Sequence, residues 1–378
     1  MNPRSIALAC AAAAIAVSGI AVATSIEPVD WRVSALVHMS ETEPLAPVAR
    51  ASDPKFVFVN QEAHYDGVYF YAMARDPFAR GHEHTLIDRP AYRYGHVGYG
   101  WLASVASFGR AKAVPAALLM LGLVGIGVAG FAGSLLAREF GWSGWWGLVV
   151  AGSPGLIFAV TANTSEPVAA AFLTLGLLAW AQKRWRFAAL WFAAMCLTKE
   201  PLLVVPVGLA VWELVEHARG RAREGSLERV ALLAIGPVLF LAWYAYLRVT
   251  FGVWPFQQEA QDFLTFPFAG WIDSMRRAGE LARGSFQASQ VGNAAVALLA
   301  VWGLVLIIGF VRARKFEAFI HPVFILMALV IVSLNWLGLQ YPKDLIRESA
   351  MTLLVLPLAI AGRRAAPDGS DSELPVSA

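Results

Sequence analysis

Side chains able to do chemistry are scarce in this chain and fall in a few places. The densest is His64-Tyr65-Asp66-Gly67-Val68-Tyr69-Phe70-Tyr71-Ala72-Met73-Ala74-Arg75-Asp76-Pro77-Phe78, followed by Ile87-Asp88-Arg89-Pro90-Ala91-Tyr92-Arg93-Tyr94. Further along, charges interrupt apolar sequence at Glu166, at Lys199-Glu200 and at Arg347-Glu348. A carboxylate such as Asp66 or Asp88 can take a proton from a hydroxyl, whereas Arg93, Lys199 and Arg347 suit an anion such as a phosphate. Each residue also has a plainer reading. Asp66 stands where a short interfacial helix would begin and could simply cap it. Glu166, beside Ser165, could cap the helix that opens at Pro167, and Lys199 with Glu200 could neutralise each other at a helix junction. Asp88 could staple its loop through Arg89 or Arg93, and Arg347 could snorkel to headgroups or pair with Asp344 or Glu348. His82, His84 and Glu83 are metal-ligating types, but a solvated loop accounts for them as well.

The elements that must position these residues are membrane helices. The chain has 378 residues, of which 58% are hydrophobic and 15% charged, and its apolar runs are too long and uniform for a soluble amphipathic fold. Val114 to Ala137 and Val230 to Val249 are apolar on every face, which excludes the alternating strands of a barrel. The spans read as Ser5–Thr24, Val114–Ala137, Trp142–Val160, Pro167–Ala181, Phe187–Leu197, Leu202–Val215, Val230–Val249, Ala294–Val311, Phe319–Leu337 and Leu345–Ala361, about ten transmembrane helices in all. Val97 to Phe108 is shorter and reads as an interfacial helix. The expected fold is an all-α polytopic membrane protein in six stretches. A first span, or a signal peptide ending at Ala21-Val22-Ala23, occupies 1–24, and a large extracytoplasmic loop with interfacial helices occupies 25–96. A bundle follows at 97–249, then a second outer loop at 250–293 with Glu259, Asp262 and a helix near Gly270 to Arg283. C-terminal spans fill 294–364, and a disordered tail 365–378.

Loop charges give the orientation, because Lys and Arg accumulate on the cytoplasmic side. Arg138, then Lys183, Arg184 and Arg186, then Arg219, Arg221, Arg223 and Arg229, then Arg312, Arg314 and Lys315, then Arg363 and Arg364 occupy alternate loops. That places Asp66, Asp88, Arg93, Glu166, Lys199 and Arg347 together on the opposite face. Reading Phe187 to Val215 as two helices meeting at Lys199 keeps the alternation and spares Lys199 and Glu200 a mid-bilayer position costing about 2.5 to 3.5 kcal/mol each. Their shortness puts their outer ends below the lipid surface, around a polar cavity. The formal charge of +3, with no basic block interleaved with aromatics, argues against a nucleic-acid partner. Cys10 and Cys196 lack the spacing of a metal site or a disulfide framework and read as lipid-facing or packing residues.

In order along the chain, several of these segments resemble the GT-C superfamily of membrane glycosyltransferases, including bacterial mannosyltransferase-like proteins. The likeness rests on a first span followed at once by a large outer loop holding Asp66 beside Tyr69 and Tyr71. It continues through Asp88-Arg89-Pro90-Ala91-Tyr92-Arg93 into Gly98-Tyr99-Gly100-Trp101-Leu102. Ser153-Pro154, Thr164-Ser165-Glu166-Pro167, Leu197-Thr198-Lys199-Glu200-Pro201 and Phe251-Gly252-Val253-Trp254-Pro255-Phe256 are similar too. Gly67 departs from the Asp-Glu pair of many relatives. The resemblance implies a multi-pass protein of the bacterial plasma membrane that moves a sugar, with inversion, from a polyprenyl-phosphate donor to an envelope glycan, lipid or protein. Such a transfer asks for a base, for which Asp66 is the first choice with Asp88 assisting, and for cations on the donor phosphate, for which Arg93, Lys199 and Arg347 are the candidates, Arg347 standing just inside the outer end of the last span; Tyr69, Glu166 and Glu200 are further site residues. A divalent metal, Mg or Mn, would sit on Asp66, Asp88 and Glu166 if one is used. The alternatives are a transporter or lipid flippase, and a non-catalytic subunit of an envelope-assembly complex.

Overall fold

Prolines and small polar residues start many of the helices. Asn2 accepts a hydrogen bond from the Ser5 amide ahead of α1 (Pro3–Ile26), and the outer-loop helices α2 (Gly67–Arg75) and α3 (Gly98–Ala106) follow. The long α4 (Val114–Glu139) carries Pro115 in its first turn, where a missing N–H costs nothing. Ser153 caps α5 (Pro154–Thr161) by accepting from the Leu156 amide. Next come α6 (Glu166–Ala181), α7 (Trp185–Thr198), α8 (Val204–Ala218) and α9 (Ser226–Phe251). The remainder holds α10 (Ala269–Leu281), α11 (Phe286–Ala313), α12 (Ile320–Val332), α13 (Pro342–Glu348) and α14 (Ala350–Ala361). This computed structural model describes residues 2–59, 64–221, 224–258, 264–339 and 341–361. Glu259 and Asp262 of the second loop, Arg223, Arg363, Arg364 and the tail expected to be disordered lie outside them.

The chain is all-helical among the described residues, with only isolated bridges of extended backbone. Five helices there are long and apolar enough to cross a membrane, six if the bent pair Gly144–Ala151 and Pro154–Thr161 is one span. The stretch expected as a span from Trp142 to Val160 is this bent pair, two helices in place of one. The chain bends by 49° at its break, where Pro154 disfavours helical backbone at Ser153. The span expected from Phe319 to Leu337 also stops early, at Val332. The carbonyls of Val332 and Ser333 accept from the amides of Phe268 and Thr265, so the second loop takes the backbone groups a longer helix would use. The last expected span is likewise split, into α13 and α14. The junction inside Phe187 to Val215 is as expected: α7 ends at Thr198, and a single turn, Glu200–Leu203, leads into α8.

At the centre, α4 packs against α1 and α6, α7 lies between α6 and α9, and α8 lies against α12. Both cysteines are buried packing residues. The basic loops meet at one end of this bundle. Gln182 donates to Glu139 at 2.9 Å, Arg219 donates to the Phe316 carbonyl at 3.4 Å, and Arg229 pairs with Glu213 at 2.8 Å. Lys183, Trp212, Arg221 and Glu317 line one cavity there. The α6 start, the α7–α8 junction, α13 and the first outer loop meet elsewhere, around a different cavity.

Candidate functional site

Two glycines let the backbone carry the key side chains into contact. A β-carbon on Gly155 would stand 2.0 Å from the Ile346 carbonyl, so only glycine lets α5 lie directly on α13 and bring Arg347 inward. A β-carbon on Gly67 would stand 2.7 Å from the Ala162 carbonyl and 2.8 Å from that of Val37. Backbone from two other elements therefore fills the place that a side chain at position 67 would take.

Asp66 occupies the N-cap position of α2, yet its side chain makes no capping bond. It turns instead to Arg347, whose Nη1 donates to Asp66 Oδ2 at 2.5 Å across 281 positions of sequence. Arg93 Nη1 stands 3.7 Å from the other Asp66 oxygen. A third of the Asp66 side chain remains exposed and faces the cavity, so it stays reachable by a ligand. Burial alone would raise this carboxyl, but the Arg347 and Arg93 guanidiniums outweigh it and hold the group well below the usual carboxylate range.

Behind Asp66 lies a buried ionic cluster. Glu166, 1% exposed, accepts from Lys199 Nζ at 2.7 Å, and Lys199 also pairs with Glu348 at 3.3 Å. Arg347 donates to Glu348 at 2.9 Å and stands 3.7 Å from Glu166. Lys199 thus pairs with Glu166 and Glu348, while Glu200 accepts from the Tyr244 hydroxyl at 2.6 Å. Asp344 also belongs elsewhere, accepting from Tyr65 at 2.8 Å. Glu166 Oε2 and Arg347 Nε are buried without a hydrogen-bond partner among the described residues, so the cluster has acceptor and donor capacity left over.

The front wall comes from the first outer loop. Arg93 lies over the Tyr69 ring at 3.6 Å, and its Nη2 donates to the Tyr69 hydroxyl at 2.8 Å. Tyr69 also meets His64, which is in turn paired with Glu43. Asp88 sits outside the cavity lining and is held by Arg93 at 3.4 Å, which is the loop staple. Burial raises the Asp88 carboxyl, while the Tyr69 hydroxyl and Arg93 lower it further, and the net shift is downward. Sequence reading missed His96, which lines the cavity against Phe70 and Tyr92. Its only visible signal was a histidine three residues after Arg93. Burial, reinforced by the charges of Arg93 and Lys199, pushes this imidazole down to about 4, so it is neutral at neutral pH.

The cavity holds about 270 Å³, and its lining includes Asp66, Phe70, Arg89, Tyr92, Arg93, His96, Glu166, Lys199, Glu200, Arg347 and Glu348. The three carboxylates expected to hold a divalent metal do not converge on one point. Asp66, Asp88 and Glu166 each face a cation, and among the described residues no three His, Cys, Asp or Glu side chains converge to hold a metal ion. His82, His84 and Glu83 form no such group either, because His84 binds Asp76 and Glu83 pairs with Arg75. The arrangement suits an anion with several oxygens beside a polar, hydroxyl-bearing group. No family model matches the chain, and no curated protein matches it.

Proposed function

We propose that the chain is a membrane glycosyltransferase of the GT-C kind, moving one sugar from a polyprenyl-phosphate donor to a glycan, lipid or protein acceptor outside the cytoplasm of a bacterial cell. The observation that carries this reading is the meeting of Asp66 with Arg347, beside Arg93, Lys199 and Glu166, in one cavity. All of these except Arg347 lie in the segments on which the sequence resemblance rests, and the five come from the first outer loop, the α6 start, the α7–α8 junction and α13.

The reading needs ten crossings, the shorter helices counting as spans. At about 1.5 Å per residue, the 16-residue α6 and 14-residue α7 fall short of a hydrocarbon core of about 30 Å. The cavity stands where they stop. The basic loops at the other end are the cytoplasmic ones, by the charge rule.

Sugar transfer with inversion breaks the bond between the anomeric carbon and the phosphate oxygen as an acceptor hydroxyl attacks from the opposite side. The leaving phosphate gains a negative charge, and fixed cations that meet it lower the barrier. Four cations (Arg89, Arg93, Lys199, Arg347) and four carboxylates (Asp66, Glu166, Glu200, Glu348) line the cavity. A phosphate therefore binds by sharing Arg347 and Arg93 with Asp66, which stays paired with them and orients the acceptor hydroxyl. Arg347 Nε, 3.7 Å from Glu166 and without a hydrogen bond among the described residues, has donor capacity left for it.

A transporter would need a polar path between the two faces. The cavity at the basic end shares no lining residue with this one among the described residues, which favours the enzyme. The test is the full chain in lipid nanodiscs, supplied with radiolabelled mannose, glucose and arabinofuranose on polyprenyl phosphate and with envelope glycan fragments. Labelled glycan should form from one of these donors, and unlabelled undecaprenyl phosphate should compete. Failure of every donor, with no binding of undecaprenyl phosphate, would sink the reading.

A further inference from the structure

The carboxylates that line the cavity are already engaged. Asp66 faces Arg347 and Arg93, Glu166 faces Lys199 and Arg347, Glu348 faces Arg347 and Lys199, and Glu200 accepts from Tyr244. A base must have a lone pair free to receive a proton, and an ion-paired carboxylate is a weak one. His96 differs from all four. It lines the same cavity, touches Phe70 and Tyr92 through ring contacts, and has no hydrogen-bond partner on either ring nitrogen among the described residues.

Resting on the transferase reading above, we infer that His96 is the general base of the reaction, with Asp66 positioning Arg347, Arg93 and the acceptor. The acceptor O–H proton moves to a His96 ring nitrogen while the oxygen bonds to the anomeric carbon. The carbon–oxygen bond to the phosphate breaks, and its electron pair stays on the phosphate oxygen. A phosphodiester monoanion becomes a phosphate monoester with one more negative charge, and the imidazolium carries the balancing proton until it passes to water.

The charges around His96 make this workable. Burial depresses its basicity most, Arg93 and Lys199 add to that, Asp66 and Glu166 oppose them, and Arg89, Glu200, Arg347 and Glu348 share the cavity. Burial persists when donor binds, but a donor phosphate seated on Arg93 and Lys199 cancels the part of the depression that comes from their charges, so the imidazole is more basic with donor bound than without. The acid limb of kcat/KM, which reports the free enzyme, should therefore lie near 4, and the limb of kcat at a higher pH.

The experiment compares wild type, His96→Asn and His96→Gln in nanodiscs. Both variants should lose transfer by about 100-fold or more in kcat with little change in KM. They should bind undecaprenyl phosphate as wild type does, and added imidazole should restore part of the rate. Independently of turnover, diethyl pyrocarbonate at pH 7 should modify His96, located by peptide mass, and undecaprenyl phosphate should protect it. Variants within about twofold of wild type, a loss confined to KM, or a wild-type His96 inert to the reagent would each overturn the assignment. Those results leave the transferase reading standing if wild type transfers sugar, whereas a wild type inert to every donor removes both.

Discussion

Arg347 serves three carboxylates at once, and its fork geometry is what allows it. Arg347→Lys would keep the charge and lose the second contact, so undecaprenyl phosphate should bind at least about tenfold more weakly, or about 1.4 kcal/mol. Retained affinity in equilibrium binding would show that charge alone suffices. The buried Lys199–Glu166 pair makes a different prediction. Breaking one side of such a pair costs about 3 to 5 kcal/mol, because a buried charge is left alone. Lys199→Met should lower thermal stability strongly, and adding Glu166→Gln should restore much of the loss, as read by a double-mutant cycle of melting temperatures. Acidity tests two further residues. His96 has a folded value near 4 against an ordinary 6.5, so the unfolded chain binds the extra proton between them. Stability should therefore fall as pH drops from about 6.5 towards 4. Asp66, held low by its arginines, adds stability that is lost only at still lower pH, as its folded value is passed. In detergent, the melting temperature of wild type should decline over this window, and His96→Asn should flatten the upper part of that decline.

Gly155 is the clearest case of an element deciding a site. Gly155→Ala would force α5 and α13 apart at the Ile346 carbonyl, whereas Gly152→Ala meets nothing closer than 3.6 Å. The first variant should keep its helical circular dichroism and lose about tenfold or more in undecaprenyl phosphate affinity as Arg347 withdraws, and the second should change neither. Equal behaviour of the two would show that α13 is not held by this approach. Much at this scale was legible. Uninterrupted apolar runs gave α1, α4, α9 and α11, and the cost of burying Lys199 gave the break between α7 and α8. The missed breaks have local causes: Pro154 in one case, and the loop amides of Thr265 and Phe268 in the other. The site was legible as residue types and not as partners. Asp66, Glu166, Lys199 and Arg347 stood out as charges in apolar sequence, but a contact spanning 281 positions leaves no local pattern. Of the two readings open for Asp88, the loop staple to Arg93 is the one present, and Glu200 lines the cavity while accepting from Tyr244, a partner 44 positions away that no local pattern reveals.

The whole molecule is organised by which loops meet. If Lys183 and Arg221 share a cytoplasmic end, single cysteines placed there in a Cys10- and Cys196-free background should resist membrane-impermeant maleimide in intact cells. Cysteines at Glu41 and Arg89 should react, and labelling of Arg89 and Lys183 from the same side would remove the ten-crossing reading. The even balance of charge around the candidate site carries one more consequence. Four positive and four negative groups packed so closely cast almost no field beyond the mouth of the cavity. On the proposed reading, an anionic lipid donor is then not steered in from afar, and its capture should be nearly indifferent to ionic strength. Its recognition would begin only on arrival, when the arginines come to be shared with a second anion.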